Sequence, residues 1–384
     1  MNGNYHKSLA IVFLAVGSVL LYACSFPISL APAASDSSST PGTASADKPS
    51  TAAPRIAGKV ALGYYTGSQS SLAALQTHSS FLNIVSADVF TLRSDGSISG
   101  KDDLGVAAYS RTVGIQVYAC VNNYNSDPAI NGFDPALARA ALVTHKALVI
   151  SNLVALAQHG GFDGINIDIE NLTYSANIEE ARADFSSFIH DLAAQLHANG
   201  KKLIISVPGK TDDSTNNTWS HPFDLAALGQ DADYLQLMTY DQHGPWGEPG
   251  PVSGEDWVES CVVYASALVD PSRLLIGLPA YGYDWDLNAS DKTKKTFSAG
   301  DFSWTDVQSL LAKSTATAQW DAASQSPFLT YSENGHDHIA WYESAGSIQA
   351  KTKLIPKYNL AGFSMWSLGK EDQSFWQAAM DGEK

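Results

Sequence analysis

The chain contains one run, Phe162-Asp163-Gly164-Ile165-Asn166-Ile167-Asp168-Ile169-Glu170, that alternates as a buried β-strand does. Successive side chains of a strand point to opposite faces, so the isoleucines share one face and Asn166, Asp168 and Glu170 share the other. Burial of unpaired carboxylates is costly, and an interior face selected only for stability would carry valine or leucine. The run therefore indicates a strand that brings polar chemistry into the fold, rather than a solvent-facing strand edge.

Strand-like runs recur on both sides of this one, and stretches of helical character separate most of them, such as residues 135–159 and 178–198. The strand-like runs are residues 60–65, 82–92, 114–121, 164–169, 202–207, 234–239, 274–278 and 362–366. This alternation predicts an α/β fold, a (β/α)8 TIM barrel, in which active sites lie at the carboxyl ends of the strands. An open doubly wound sheet is the alternative, but no Gly-rich phosphate loop follows the first strand.

Residues 286–347 are too many for one crossover between strands. They contain two more strand-like runs, residues 328–331 and 338–342, so we expect a small α+β insertion after the seventh strand. His336 and His338, beside Gly335, are interpreted as the tip of a hairpin and not as metal ligands.

The N-terminal region has the composition of an export signal followed by a tether. Residues 9–21 are apolar, and Leu21-Tyr22-Ala23-Cys24 resembles the lipobox of bacterial lipoproteins, so residues 1–24 are predicted to be a lipoprotein-type signal peptide. Cys24 would be lipidated, which makes the protein an exported cell-envelope lipoprotein; ordinary cleavage after Ala31-Pro32-Ala33 would make it a secreted protein. Residues 25–54, rich in Ser, Thr, Ala and Pro, are predicted to be a flexible linker, and residues 55–384 to be the catalytic barrel.

The composition narrows the possible partners. A chain of 384 residues that is 45% hydrophobic can bury a large core, and a formal net charge of −16 argues against nucleic acid. An uncharged sugar chain is compatible with that charge. Cys120 and Cys261 are expected to be buried thiols, although the sequence leaves a bridge between them open. Because Asp212 and Asp213 have no His or Glu at a ligand spacing, we expect no metal; we also expect no cofactor and a monomer.

The alternating run matches the pattern D-G-x-x-x-D-x-E and resembles the signature of glycoside hydrolase family 18, the chitinase family. Asn166 stands where the usual pattern has Asp, which is similar to the branch with spore-cortex peptidoglycan glucosaminidases and related chitinase-domain proteins. The resemblance continues through Leu62-Gly63-Tyr64-Tyr65, Val121-Asn122-Asn123, Val207-Pro208-Gly209-Lys210-Thr211, Leu237-Met238-Thr239-Tyr240-Asp241, Pro279-Ala280-Tyr281-Gly282-Tyr283-Asp284-Trp285 and Gly362-Phe363-Ser364-Met365-Trp366.

The resemblance implies a retaining hydrolase that uses the substrate's own 2-acetamido group as the nucleophile. Glu170 would protonate the glycosidic oxygen, and Asp168 would orient the acetamido N–H. Asn166 would hydrogen-bond Asp168, so its replacement of Asp would alter the pH profile rather than abolish activity. By the same resemblance the Tyr240 hydroxyl would bind the acetamido carbonyl, and Asp241 would contact the same sugar.

The remaining candidates lie near the ends of other strands and would bind the sugar chain. Trp366 would stack beneath the reactive sugar. The others are Tyr65, Asn123, Met238 and Tyr281.

Four functions remain open from the sequence. Asn166 and the lipobox-like anchor favour hydrolysis of peptidoglycan, whereas the same chemistry would also serve on chitin or chito-oligosaccharides. A catalytically inactive sugar-binding lectin is a third reading, which the presence of both Asp168 and Glu170 disfavours. A structural protein attached to the cell wall would have no need of interior carboxylates.

Overall fold

A computed structural model of the chain describes residues 58–289, 301–313 and 315–384. The predicted signal peptide, its lipidation site Cys24 and the predicted linker lie outside these residues. Eight parallel strands form the central sheet: β1 (Val60–Tyr65), β2 (Ile84–Leu92), β3 (Gln116–Asn122), β4 (Gly164–Asp168), β5 (Lys202–Pro208), β6 (Tyr234–Met238), β7 (Leu274–Pro279) and β8 (Gly362–Trp366).

The eight strands close into a barrel. Each strand pairs in parallel with the next along the chain, and β1 pairs with both β2 and β8. The predicted (β/α)8 fold is therefore confirmed. β3 begins at Gln116 and not at residue 114, because Gly114 adopts the left-handed backbone conformation, with φ of 70°.

Helices follow every barrel strand. They are Gln69–His78, Val106–Thr112, Pro135–Arg139, Lys146–His159, Ile178–Ala198, Leu225–Asp231, Glu255–Ser266, Val307–Leu311, Ala345–Thr352, Leu354–Tyr358 and Gln373–Gly382. The helix Ile178–Ala198 has the predicted bounds, with the Asn177 side chain accepting a hydrogen bond from the Glu179 N–H at its start.

The stretch of helical character over residues 135–159 is divided into two helical halves. A π-helical turn, Ala140–Thr144, interrupts it, and the two halves meet at 96°. The His145 N–H donates to the Ala140 carbonyl instead of continuing the α-helical pattern. Asp134 caps the first half as expected, accepting from the Ala136 N–H at 2.8 Å.

The segment after β7 forms a separate five-stranded antiparallel sheet with a short helix. Its strands, in spatial order, are Asp301–Ser303, Tyr281–Asp286, His336–Trp341, Ser326–Glu333 and Thr317–Asp321. The insertion after the seventh strand is thus confirmed. It starts at Tyr281, earlier than expected, because the run that follows Pro279 leaves the barrel at once and pairs with the hairpin.

The hairpin predicted at His336 and His338 is present, but its tip lies just before these histidines. The turn is made by Asn334 and Gly335, both with positive φ, and the two histidines lie in the following strand. His336 Nδ1 lies 2.6 Å from an Asp286 carboxylate oxygen, and His338 Nδ1 lies 3.3 Å from one of Asp284. These pairs join neighbouring strands of the insertion.

Two shells of side chains hold the barrel together. Ile165, Ile167 and Ile169 of β4 are buried outside the strands, against the helices. A second cluster, including Tyr64 and Cys120, fills the barrel interior. Cys120 and Cys261 are buried free thiols.

Among the described residues, no one helix has the length and apolar composition to cross a bilayer. The bent pair Pro135–Thr144 and Lys146–His159 reaches that length and composition only when its halves are counted together.

Candidate active site

The interior face of β4 carries Asn166, Asp168 and Glu170, as the alternation predicted. All three are buried. Gly164 begins the strand because a Cβ there would lie 2.2 Å from the Lys202 carbonyl oxygen of β5. This close approach explains the glycine of the signature and fixes the register of the polar residues that follow.

The backbone of Glu170 is held by the side chain of Asn123. The Glu170 N–H donates to Asn123 Oδ1 at 2.9 Å, and Asn123 Nδ2 donates to the Glu170 carbonyl at 2.8 Å. Nδ2 also donates to the Asp134 carbonyl at 3.0 Å. Asn123 is fully buried, so the structure corrects its predicted role: its polar atoms position Glu170 instead of binding sugar.

The environment of Glu170 favours its protonated form. Burial raises the pKa of its carboxyl well above the ordinary value, and the charges of Asp168, Asp241 and Asp88 raise it further. A carboxyl that keeps its proton at neutral pH can act as a general acid.

Asp168 has an unused acceptor atom inside the barrel. Its Oδ1 is buried and makes no hydrogen bond within the described part of the chain. Burial raises the pKa of this carboxyl, the Asp88 charge raises it further, and the Ser206 hydroxyl opposes the increase. Because a buried acceptor without a donor is costly, the arrangement favours a ligand that brings a donor to this atom.

Asn166 belongs to a hydrogen-bond network of the barrel interior. Its Oδ1 accepts from the Tyr64 hydroxyl at 3.0 Å and the Ser86 hydroxyl at 2.8 Å. Its Nδ2 donates to the Ser206 hydroxyl at 3.1 Å. The predicted hydrogen bond from Asn166 to Asp168 is not among these contacts, because the amide is already occupied by neighbouring strands.

The structure also corrects the choice of tyrosine on β1. Tyr65 packs outward in the shell between strands and helices, so it cannot bind a substrate inside the barrel. Tyr64 points inward: its hydroxyl contacts Asn166, Ser206 and Gln236, and its ring lies 5.3 Å from that of Trp366. The inward alternation of Leu62 and Tyr64 is the sequence signal that identifies the correct residue.

Tyr240 follows β6 and borders the same interior. Gly277 of β7 makes room for it, since a Cβ there would lie 2.7 Å from the Tyr240 ring. Burial and the charges of Asp168 and Glu170 raise the pKa of Tyr240 well above its ordinary value. The phenol therefore remains a neutral hydrogen-bond donor.

Asp241 is fixed by two tyrosine hydroxyls. Its Oδ1 accepts from Tyr281 at 2.6 Å and from Tyr283 at 2.9 Å, and its backbone has a positive φ of 60°. Burial raises the pKa of Asp241, while the two hydroxyls oppose the increase. The Tyr281 hydroxyl is thus directed to Asp241, so Tyr281 positions this carboxylate rather than binding sugar through its own hydroxyl.

A cavity of about 620 Å³ opens above these groups. It is lined by Phe133, Glu170, Pro208, Gly209, Trp219, Met238, Tyr240, Asp241, Trp246 and Trp257. Met238, Tyr240, Asp241 and Glu170 thus meet at one cavity. Trp366 lies at the end of β8 beside Tyr64.

The aromatic wall of the cavity was missed by the sequence analysis. Trp246 is 59% exposed and Trp219 is 44% exposed, although both border a cavity. Flat apolar faces of this kind suit the faces of sugar rings. Both residues lie outside regular helices and strands, where no periodicity marks a side chain's direction.

No group of His, Cys, Asp or Glu within the described ranges has the arrangement of a metal site. Asp213 is instead paired with Lys210 and Arg182.

Comparison with known proteins gives one consistent family. The model of the glycosyl hydrolases family 18 matches residues 62–371. An uncharacterized glycosylase, YvbX of Bacillus subtilis, is 34% identical over 326 residues, which cover 84% of this chain and 91% of that protein. The cortical fragment-lytic enzyme of Bacillus subtilis is 29% identical over 239 residues, covering 62% of this chain and 54% of that enzyme.

A solved structure agrees with these relatives. The chitinase from Chromobacterium violaceum is 35% identical, with a TM-score of 0.77, and the match covers 85% of this chain and 99% of that one. The (β/α)8 barrel, the burial of Asp168 and Glu170, and the match to the family model all indicate the same family. The chain is therefore a glycosidase that belongs to glycoside hydrolase family 18.

Proposed function

We propose that this glycosidase hydrolyses glycans of β-1,4-linked N-acetylglucosamine with retention of configuration, and that Glu170 is its acid and base. The observation that carries the proposal is the free Asp168 Oδ1, which is buried near Glu170, a carboxyl whose pKa is raised by burial. An acetamido N–H of the substrate is a donor that matches this acceptor. A sugar without the acetamido group would leave the atom unpaired.

The proposed reaction proceeds in two steps. Glu170 donates its proton to the glycosidic oxygen, and the acetamido carbonyl oxygen attacks the anomeric carbon, which releases the leaving sugar and forms an oxazolinium ion. Asp168 accepts the acetamido N–H and stabilises the positive charge, while the Tyr240 hydroxyl donates to the acetamido oxygen. Glu170 then takes a proton from water, whose oxygen opens the oxazolinium and restores the original configuration.

The acid role is tested by Glu170→Gln, which keeps the shape of the side chain and removes its proton chemistry. We expect hydrolysis to fall by about 10²–10⁴-fold, while binding persists. Glu248→Gln, at an exposed loop position, is the matched control and should turn over normally. Wild-type turnover by Glu170→Gln would exclude Glu170 as the acid.

The acetamido step has its own test. A methyl thiazoline that mimics the oxazolinium ion should inhibit competitively, since it carries the ring that Asp168 and Tyr240 would bind. An enzyme indifferent to this compound would contradict acetamido participation.

We propose peptidoglycan as the polymer, on the basis of Asn166 and of similarity to the cortical fragment-lytic enzyme. A second candidate, chitin, is favoured by the charge of the cavity. The described lining residues include the carboxyls of Glu170 and Asp241 but no Lys or Arg, so anionic peptide stems would find no cation there. Similarity to the chitinase from Chromobacterium violaceum points the same way.

Parallel digestion of purified peptidoglycan and chitin distinguishes the two polymers, with new reducing ends identified by mass spectrometry. New N-acetylglucosamine ends from peptidoglycan would support the first candidate. Release of chito-oligosaccharides with peptidoglycan left intact would replace it with the second.

We also propose that the protein is exported and anchored to the cell envelope through a lipid on Cys24, with the linker carrying the barrel to its polymer. The supporting pattern is the apolar run followed by Leu21-Tyr22-Ala23-Cys24. We also propose that the protein acts as a monomer, since Glu170, Tyr240 and Asp241 of the same chain border one cavity.

A further inference from the structure

Asp88 is a carboxylate that the mechanism described above does not use. It lies on β2, on the same inward face as Ser86, whose hydroxyl donates to Asn166. In the strand register, Asp88 is opposite Cys120 of β3, and Cys120 is opposite Asn166 of β4. Asp88 therefore lies two residues beyond Ser86, toward the carboxyl end of β2 and past the position that contacts Asn166.

The side chain of Asp88 is held in place from β3. Asn122 Nδ2 donates to Asp88 Oδ1 at 2.8 Å. The Asn122 amide is itself oriented, because its Oδ1 accepts from the Thr91 hydroxyl at 3.1 Å and from the Tyr124 N–H at 3.0 Å. Asn122 is opposite Asp168 in the register, so the amide that fixes Asp88 lies beside the catalytic carboxylate.

The surroundings of Asp88 decide whether it is charged. Burial raises the pKa of its carboxyl, and donors from Asn122 and the Cys120 thiol oppose the increase. Burial also raises the pKa of Cys120 well above its ordinary value, so the thiol remains a donor. Two donors directed at one carboxylate stabilise its ionised form.

A charge at Asp88 acts on the groups above it. Its negative charge raises the pKa of Asp168 and that of Glu170. Among the described residues, other titratable side chains that face the barrel interior include Tyr64 of β1, Tyr118 and Cys120 of β3, and Tyr240 and Asp241 after β6. Burial raises the pKa of each of these three phenols and of the thiol, so the carboxyls are the groups that change charge in the working range.

We propose that Asp88 is a positioning residue for catalysis, an interior carboxylate supplied by β2 that keeps a proton on the Asp168–Glu170 pair. The proposal rests on the proposed role of Glu170 as the general acid. Asn166 carries no charge, and its amide hydrogen-bonds to Tyr64 and Ser206, so that position of β4 does not supply this carboxylate. The carboxylate comes from β2 instead.

The test is the pH profile of kcat/KM for Asp88→Asn on a soluble aryl chitobioside. Removal of the negative charge makes Glu170 easier to deprotonate. We expect the basic limb of the profile, where kcat/KM falls as pH rises, to move to lower pH by about one unit. Activity on the acidic side should be largely kept. Asp88→Glu, which keeps the charge, should restore the wild-type limb. Asp103→Asn, at an exposed position, removes the same charge from the surface and should change nothing.

A double variant separates positioning from simple stability. Asn166→Asp adds a carboxylate to the barrel interior two residues before Asp168, so in the Asp88→Asn background it should move the basic limb back toward the wild-type position. A basic limb that stays fixed in Asp88→Asn, whatever the loss of stability, would overturn the proposal.

A second measurement does not depend on turnover. Selective ¹³C labelling of glutamate carboxyls, with the Glu170 resonance assigned by its loss in Glu170→Gln, reads the protonation of Glu170 directly. We expect its midpoint to fall in Asp88→Asn, and an unchanged midpoint would refute the role of Asp88. A wild type that fails to hydrolyse any glycan contradicts the proposed function instead, so the two failures are distinguishable.

Discussion

Replacement of Asn123 by alanine should damage catalysis without removing any group that touches the reacting atoms. Asn123 is fully buried and makes hydrogen bonds of 2.9 and 2.8 Å with the Glu170 N–H and carbonyl. It makes a further bond of 3.0 Å to the Asp134 carbonyl. The alanine variant leaves these buried backbone groups without their partner.

The expected magnitude follows from these three bonds. A buried hydrogen bond contributes about 1 kcal/mol net, so Asn123→Ala should lower the free energy of unfolding by about 3 kcal/mol. The backbone that carries Glu170 would also be free to move. Because a displacement of about 1 Å can cost about 100-fold in rate, we expect kcat to fall by about 10–100-fold with KM little changed.

The assay is steady-state hydrolysis of a soluble aryl chitobioside together with urea denaturation. Asn125→Ala is the matched control, since Asn125 Nδ2 donates to an Asp134 carboxylate oxygen at 2.8 Å but does not contact Glu170. The control should keep its kcat. Wild-type kcat in Asn123→Ala would refute the positioning argument. A rise in KM alone would restore the sequence-based prediction that Asn123 binds substrate.

Three further changes test other parts of the molecule. Trp246→Ala should raise KM for long glycans by about 10-fold, because a face on which a sugar ring can stack is lost. Trp320 is also exposed but lies outside the cavity lining, so Trp320→Ala should leave KM unchanged. Equal effects of the two changes would contradict a sugar subsite at Trp246. Lys351→Met should lower the free energy of unfolding by about 3–5 kcal/mol, because it leaves the buried carboxylate of Glu343, which Lys351 contacts at 2.7 Å, without its partner. An unchanged urea midpoint would argue against this. Cys24→Ser should abolish incorporation of labelled palmitate and release the protein from membranes, and persistent labelling would exclude Cys24 as the lipidation site.

The strands of the barrel were predictable because strand geometry is local. The bounds of β1 and β8 agree with the apolar runs, and the isoleucines of β4 face the helices as their spacing required. A period of two fixes which side chains share a face, independently of what the strand meets later. The helix break at Ala140–Thr144 was not predictable in this way, because residues 136–159 contain no Gly or Pro that would mark a break.

The sequence predicted some residues of the candidate site correctly and others incorrectly. Asp168 and Glu170 were found because two carboxylates on an interior face are too costly without a use. Tyr65 was chosen in place of Tyr64, although the same rule of alternation, counted from Leu62, identifies the inward tyrosine. The aromatic residues Trp219 and Trp246 gave no signal, since they lie outside helices and strands and reach the cavity only through the fold.

The sequence alone determined that β4 is a buried strand with Asn166, Asp168 and Glu170 on its inner face, because that property depends only on the alternation of one strand. Tertiary structure decided what each of these groups meets. Closure of the barrel directed the Asn166 amide to Tyr64, Ser86 and Ser206, brought Asn123 to the backbone of Glu170, and joined Asp88 to Asn122. These contacts join residues far apart in the chain, so they depend on the register between strands, which no single run of residues specifies.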